Sequence, residues 1–228
     1  MKMAFSKTGT ILLVLFIISG CEKNTVTPKK IKKIEYVNTA QFTTLTPISN
    51  KSLSDPIFIK KRGEILFEYF QVTHGEDVDL QIRVNSKRFE IGPIGYGEPQ
   101  FPTNYAVQNT DALNKNLIKA TGYCGANCAV SYYIDSSTNP THSLRIYGNT
   151  FEKDIDNDSV NEIISTMGTA AQTSIYKIID DKVMMADLNK TLHLDAVWYD
   201  NKSKKFKAQN LGGKVSEWTY FKGTLIEK

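Results

Sequence analysis

Apolar and polar residues alternate along much of this chain, and the period is two. Val78-Asp-Leu-Gln-Ile-Arg-Val84 alternates strictly, as a half-buried strand does. Ile65 to Val72 is dense in β-branched and aromatic residues. Leu117 to Tyr123, Ala129 to Ile134, Leu144 to Tyr147, Glu162 to Met167, Ile175 to Ile179, Leu194 to Tyr199 and Trp218 to Phe221 repeat the style. Turn formers separate them: Asn85-Ser86, Gly92-Pro93, Gly95-Tyr96-Gly97, Gly125-Ala126-Asn127, Ser136 to Pro140, Asp180-Asp181 and Asn201 to Lys204. Many short strands at this spacing predict an all-β fold. The expected form is an antiparallel meander, either blade-like (a propeller fragment) or a β-sandwich. Helical periodicity is confined to Asp111–Asn116 and Ala186–Leu192, each with room for a turn or two.

The first 21 residues break this pattern. Met1 to Lys7 carries two lysines and no acid, Ile11 to Ile18 is an unbroken apolar run, and Ile18-Ser19-Gly20-Cys21 follows. A charged head, a short apolar core and small residues make an export signal. The run is too short to span a bilayer, which needs roughly 20 residues. The small pair before Cys21 resembles a bacterial lipobox. That resemblance implies a signal peptide over residues 1–20 and a diacylglycerol group on Cys21. The expected location is the extracytoplasmic face of a cell membrane or outer envelope, held by membrane lipid.

Glu22 to Lys33 is polar, contains Pro28 and has no periodicity. It reads as a tether over residues 21–33, with an all-β domain over 34–228. Without Lys2 and Lys7 the chain holds 26 basic against 24 acidic residues, a net of +2. That is too near neutral to suggest nucleic-acid binding. Lys29, Lys30, Lys32 and Lys33 lie just after the anchor. Such a run is either a solvated tether or is drawn to anionic headgroups, by about 1 kcal/mol per charge.

Beyond Cys21 the cysteines are Cys124 and Cys128, four residues apart across Gly125-Ala126-Asn127. In an exported protein this spacing suits a structural disulfide closing a small ring across a turn. Free thiols, or a metal or redox role, are the alternatives. Redox pairs usually take the tighter C-x-x-C spacing, and no histidine or third cysteine lies nearby.

The strongest internal motif is Asp154-Ile-Asp-Asn-Asp-Ser-Val-Asn-Glu162, with carboxylates at relative positions 1, 3, 5 and 9. Calcium takes six to eight oxygens at about 2.3–2.6 Å, and alternate acids in a curling loop aim at one centre. The Val160 carbonyl can add another oxygen. The loop is not an EF-hand: Ser165 stands at position 12, Ser159 stands at position 6, and a strand follows instead of a helix. The alternative is a bare acidic turn.

This loop, running straight into an apolar strand, resembles the FG-GAP or VCBS type repeats of bacterial surface proteins, relatives of the integrin α calcium loops. The resemblance is strongest over residues 144–180. It implies that Asp154, Asp156, Asp158, Val160 and Glu162 hold a structural calcium between two strands of a blade-like hairpin. Ser159 departs from the family, which places glycine there to permit positive φ.

No catalytic constellation stands out. His74 and His193 have acids nearby, but a histidine beside a carboxylate is more often a surface pair. There is no G-x-S-x-G elbow, zinc helix or phosphate loop. Gly92 to Gly97 reads as a turn or exposed loop. The expectation is a lipid-anchored envelope protein whose β domain binds a protein or glycan or serves as a structural module. An envelope hydrolase with a dispersed site is the alternative.

Overall fold

The computed structural model describes residues 29–49, 55–72, 77–96, 103, 105–125, 127–138 and 141–228. The leader, Cys21, the tether up to residue 28 and His74 lie outside the described residues. Four antiparallel meanders follow one another in chain order. Sheet I holds β4 (Phe58–Arg62), β5 (Ile65–Gln71), β6 (Asp77–Val84) and β7 (Lys87–Tyr96). Sheet II holds β8 (Ala106–Ala112), β9 (Lys115–Gly125), β10 (Cys128–Asp135) and β11 (His142–Tyr147). Sheet III holds β12 (Asn149–Lys153), β13 (Glu162–Met167), β14 (Gln172–Ile179) and β15 (Lys182–Asp187). A short helix, α1 (Leu188–Leu192), leads to sheet IV, made of β16 (Ala196–Asp200), β17 (Lys205–Gln209), β18 (Ser216–Phe221) and β19 (Thr224–Glu227).

Local chemistry sets the hairpins. Asn85-Ser86, Leu113-Asn114 and Asp180-Asp181 each place two consecutive residues at positive φ. That is the two-residue turn whose twist matches its strands. The stretch 111–116, expected to turn helically, is therefore the β8–β9 hairpin. The stretch 186–192 does contain helix, with Asp187 as its N-cap and His193 closing it in the left-handed region.

The sheets stack face to face through three cores. Phe67, Leu80 and Ile82 of sheet I meet Ala120, Tyr132 and Ile134 of sheet II. Leu117, Tyr133 and Ile146 of sheet II meet Ile163 and Val183 of sheet III. Ile164, Ile175 and Ala186 of sheet III meet α1 and Val197, Phe206, Trp218 and Leu225 of sheet IV. The period of two explains how one strand serves two cores: in β10, Val130, Tyr132 and Ile134 face sheet I while Tyr133 faces sheet III. Each such side chain contributes about 1.5–3 kcal/mol on burial.

The expected tether reached residue 33, but Ile31–Lys33 already form strand β1 against β19, with Ile31 opposite Ile226. From there the chain crosses the last strand of every sheet in reverse order. Val37 bridges Met185 of sheet III. β2 (Thr43–Thr44) pairs with β11 of sheet II, and β3 (Pro47–Ile48) pairs with β7 of sheet I. This strap sets an apolar side chain into each seam: Ile34 between III and IV, Phe42 between II and III, Leu45 between I and II.

Candidate cation-binding loop and neighbouring clefts

The acidic loop joins β12 to β13, and Asp154 builds it. Its Oδ1 accepts the Asn157 N–H at 2.7 Å and the Asp158 N–H at 3.3 Å, and its Oδ2 accepts the Ser159 N–H at 3.0 Å. Asp158 Oδ1 accepts the Val160 N–H at 2.9 Å. The chain curls through two left-handed residues, Asn157 at φ 61° and Ser159 at φ 69°. Asn161 closes the loop against sheet II: its side-chain amide donates to the Asp111 carbonyl, and its carbonyl accepts the Leu113 N–H, both at 2.9 Å.

Carboxylate oxygens of Asp154, Asp156 and Glu162 lie within 4.8 Å of one another, a group that could hold a metal ion. Glu162 is fully buried and accepts the Ile155 N–H at 3.1 Å. Asp158 stands at the rim with a 44% exposed side chain, and Val160 is half-buried. Asp156 Oδ1 is buried without a hydrogen-bond partner.

A cation already sits at the focus. The Lys177 ammonium donates to Asp156 Oδ2 at 2.5 Å, to Asp158 Oδ2 at 3.0 Å and to Glu162 Oε1 at 3.0 Å. Burial pulls this ammonium down, but its three carboxylate partners outweigh that and hold it above its ordinary value. Burial pushes the Glu162 carboxyl up, against the pull of the Ile155 N–H and Lys177. The hydrogen bond from Lys177 holds the Asp158 carboxyl down. The hard carboxylate oxygens suit a hard divalent cation, yet such an ion would have to displace the ammonium.

Lys177 comes from β14, outside the loop whose spacing marks the acids. Ile163 pairs with Tyr176 across β13 and β14, so one further step sets Lys177 opposite Glu162. An acid and a lysine at matched positions of neighbouring strands form a cross-strand charge pair. That signal is in the sequence once the register is known.

Cys124 and Cys128 form a disulfide across the β9–β10 hairpin, with Cα atoms 5.0 Å apart. His142 Nδ1 lies 2.8 Å from Thr138 Oγ1. His193, the helix cap, lines a cleft of about 430 Å³ with Glu35, Asp187 and Lys190. The Asp187 carboxylate there is engaged by the Lys190 N–H, and no serine or cysteine lines the cleft.

No family model matches this chain, and none of the curated proteins or solved structures searched matches it.

Proposed function

We propose that this is an exported protein, anchored through lipid on Cys21, whose stack of sheets presents a binding surface at the cell envelope. The observation that carries the binding reading is an exposed aromatic pair at the seam of sheets I and II. Tyr96 is 51% and Tyr123 46% exposed. Gly95, beside Tyr96, packs so closely on Tyr123 that an added Cβ would stand 2.4 Å from the Tyr123 carbonyl oxygen. Exposed tyrosines on a rigid sheet suit an envelope protein or a glycan, because an aromatic ring offers both apolar area and a polar tip. The alternative, an envelope hydrolase, has its best footing in the His193 cleft. His193→Ala abolishing hydrolysis of an envelope polymer would favour that reading.

Calcium is the finer part of this reading. Asp154, Asp156, Asp158, Glu162 and the Val160 carbonyl would hold it, with Lys177 swung out, and its work would be to fix the loop between strands. Calcium should then raise the melting temperature of metal-free protein at millimolar levels, the range of extracellular sites. A melting curve indifferent to calcium and to chelator removes calcium from the reading. The binding surface is tested by retention on immobilised envelope glycan and protein fractions. Tyr96→Ser with Tyr123→Ser should lose that retention while melting normally. Equal retention by the double variant refutes the aromatic surface.

A further inference from the structure

Charge is divided unevenly along the stack. Residues 29–35 and 188–228, which make β1, α1 and sheet IV, hold 12 lysines and 5 acids, a net of +7. Residues 36–187 hold 13 basic and 18 acidic residues, a net of −5. A near-neutral chain thus conceals a basic end and an acidic remainder.

Strand register places part of that basic charge on one rim. Ile31 lies opposite Ile226, Trp218 opposite Glu227 and Ala208 opposite Ser216. The same end of sheet IV therefore carries Lys29 and Lys30, the β17–β18 loop 210–215, and Lys228. Three of the large apolar side chains exposed on the protein stand here: Leu211 at 88%, Ile31 at 63% and Val215 at 41%. The loop is built, since the Leu211 N–H donates to Asp195 Oδ2 at 2.9 Å and the Gly213 N–H to the Asn210 carbonyl at 2.8 Å. The acids at this end are all engaged: Asp195 by that bond, Glu217 by Lys205, and Glu227 by Lys30 at 3.3 Å. Lys29, Lys214 and Lys228 have no carboxylate partner among the described residues.

From this placement we propose that the rim of sheet IV formed by Lys29, Lys30, Leu211, Lys214, Val215 and Lys228 docks onto an anionic lipid bilayer. The inference rests on the anchored reading for its setting, because Lys29 follows Cys21 by eight residues, a reach of at most about 29 Å when fully extended. An acyl group on Cys21 therefore keeps this rim within a short distance of the headgroups. Lys29, Lys214 and Lys228, which have no carboxylate partner among the described residues, would meet lipid phosphates, each raising partition about fivefold. Leu211 would enter the headgroup–acyl boundary, as apolar residues of interfacial segments do. The acidic loop and sheets I to III would then be held away from the membrane.

The mature lipidated protein, with Leu211→Cys carrying an environment-sensitive fluorophore, tests this on phosphatidylcholine vesicles with and without phosphatidylglycerol. Phe221→Cys, labelled likewise, is the control: it is exposed at the opposite end of β18, beside Lys222. The label at 211 should shift to the blue on phosphatidylglycerol vesicles, revert at high salt, and lose the shift with Lys29→Glu and Lys214→Glu. The label at 221 should not respond. No shift at 211, an equal shift on neutral vesicles, or an equal shift at 221 overturns the docking rim. Flotation reports the anchor separately. Protein that floats with neutral vesicles but shows no shift at 211 keeps the anchor and loses the rim. Protein that binds only anionic vesicles and shows the shift keeps the rim and loses the anchor.

Discussion

Replacing Lys177 by methionine tests what holds the acidic loop. Methionine keeps an unbranched apolar stem at this position of β14 and removes the ammonium. Glu162 would be left fully buried, with Asp156 beside it and no cation between them. Removing one partner of a buried ion pair costs about 3–5 kcal/mol. Here the Lys177 side chain is 19% exposed and Asp158 faces water, which screens part of the repulsion, so about 3 kcal/mol is expected. For a chain of this size that lowers the melting temperature by roughly 6–12 °C. The assay is thermal unfolding of metal-free protein at neutral pH, followed by circular dichroism.

The pH dependence carries its own sign. Glu162 is already raised above its ordinary 4.5 with Lys177 present, so its ionisation opposes folding. Without the lysine this cost grows, and protonation of Glu162 as the pH falls from neutrality should recover part of the deficit. The raised Lys177 contributes stability fully below its ordinary 10.5 and loses it only as pH climbs through the higher folded value. The gap between wild type and variant should therefore hold from neutral pH to about pH 9 and close in stronger alkali. If the loop takes calcium as proposed, a hundredfold excess over Kd should restore about 2.7 kcal/mol to the variant. A variant that melts within about 2 °C of wild type without metal would refute the reasoning.

Ser159→Gly should raise stability by up to about 1 kcal/mol, because serine is held at φ 69° where glycine rests without strain, less the entropy glycine adds to the unfolded chain; chemical denaturation would show it. Replacing Cys124 and Cys128 together by serine should cost about 2 kcal/mol or less, since the ring is small, and the variant should still fold; thiol labelling of untreated protein checks the bond first. Asp135 is buried, yet Lys115 at 2.7 Å and Ser137 hold its carboxyl below its ordinary 3.8. Its contribution is complete above that value and lost as pH falls through the lower folded one. Lys115→Met should move the acid unfolding midpoint to higher pH in a urea series.

Alternation and turn residues made the central strands legible. β5, β6, β9, β10, β13 and β14 stand where the periodicity put them, and the all-β meander follows from them. Edge strands were harder. Ala106–Ala112 and Phe58–Arg62 are largely polar or exposed, so no face of theirs announces itself. Gly92 to Tyr96 was expected to be a turn or loop and is the end of β7. Close approach of sheet II explains this: a Cβ on Gly95 would strike the Tyr123 carbonyl, and one on Gly122 of β9 would stand 2.2 Å from the Ile94 carbonyl oxygen. That reason exists only once the two sheets are stacked. The acids of the candidate site were readable from their spacing within one loop. Lys177 was not, because it reaches the cluster from another strand. The strap was hidden for the same cause, its partners lying far along the chain.

The strap also dictates when the molecule can be finished. Ile31 is made 195 residues before its partner Ile226. Each meander can close from local hairpins as it emerges, a fast process of short loops. The strap can settle only piece by piece: Leu45 can seat once sheets I and II have met and Phe42 once sheet III has joined them, but Ile34 waits for sheet IV. A chain broken off before β19 would keep its hairpins but lose the place where β1 pairs, and a proteolytic machine would find that loose end exposed. Pairing of β1 with β19 is thus the last contact the strap can make, and it ties the N-terminal segment to sheet IV.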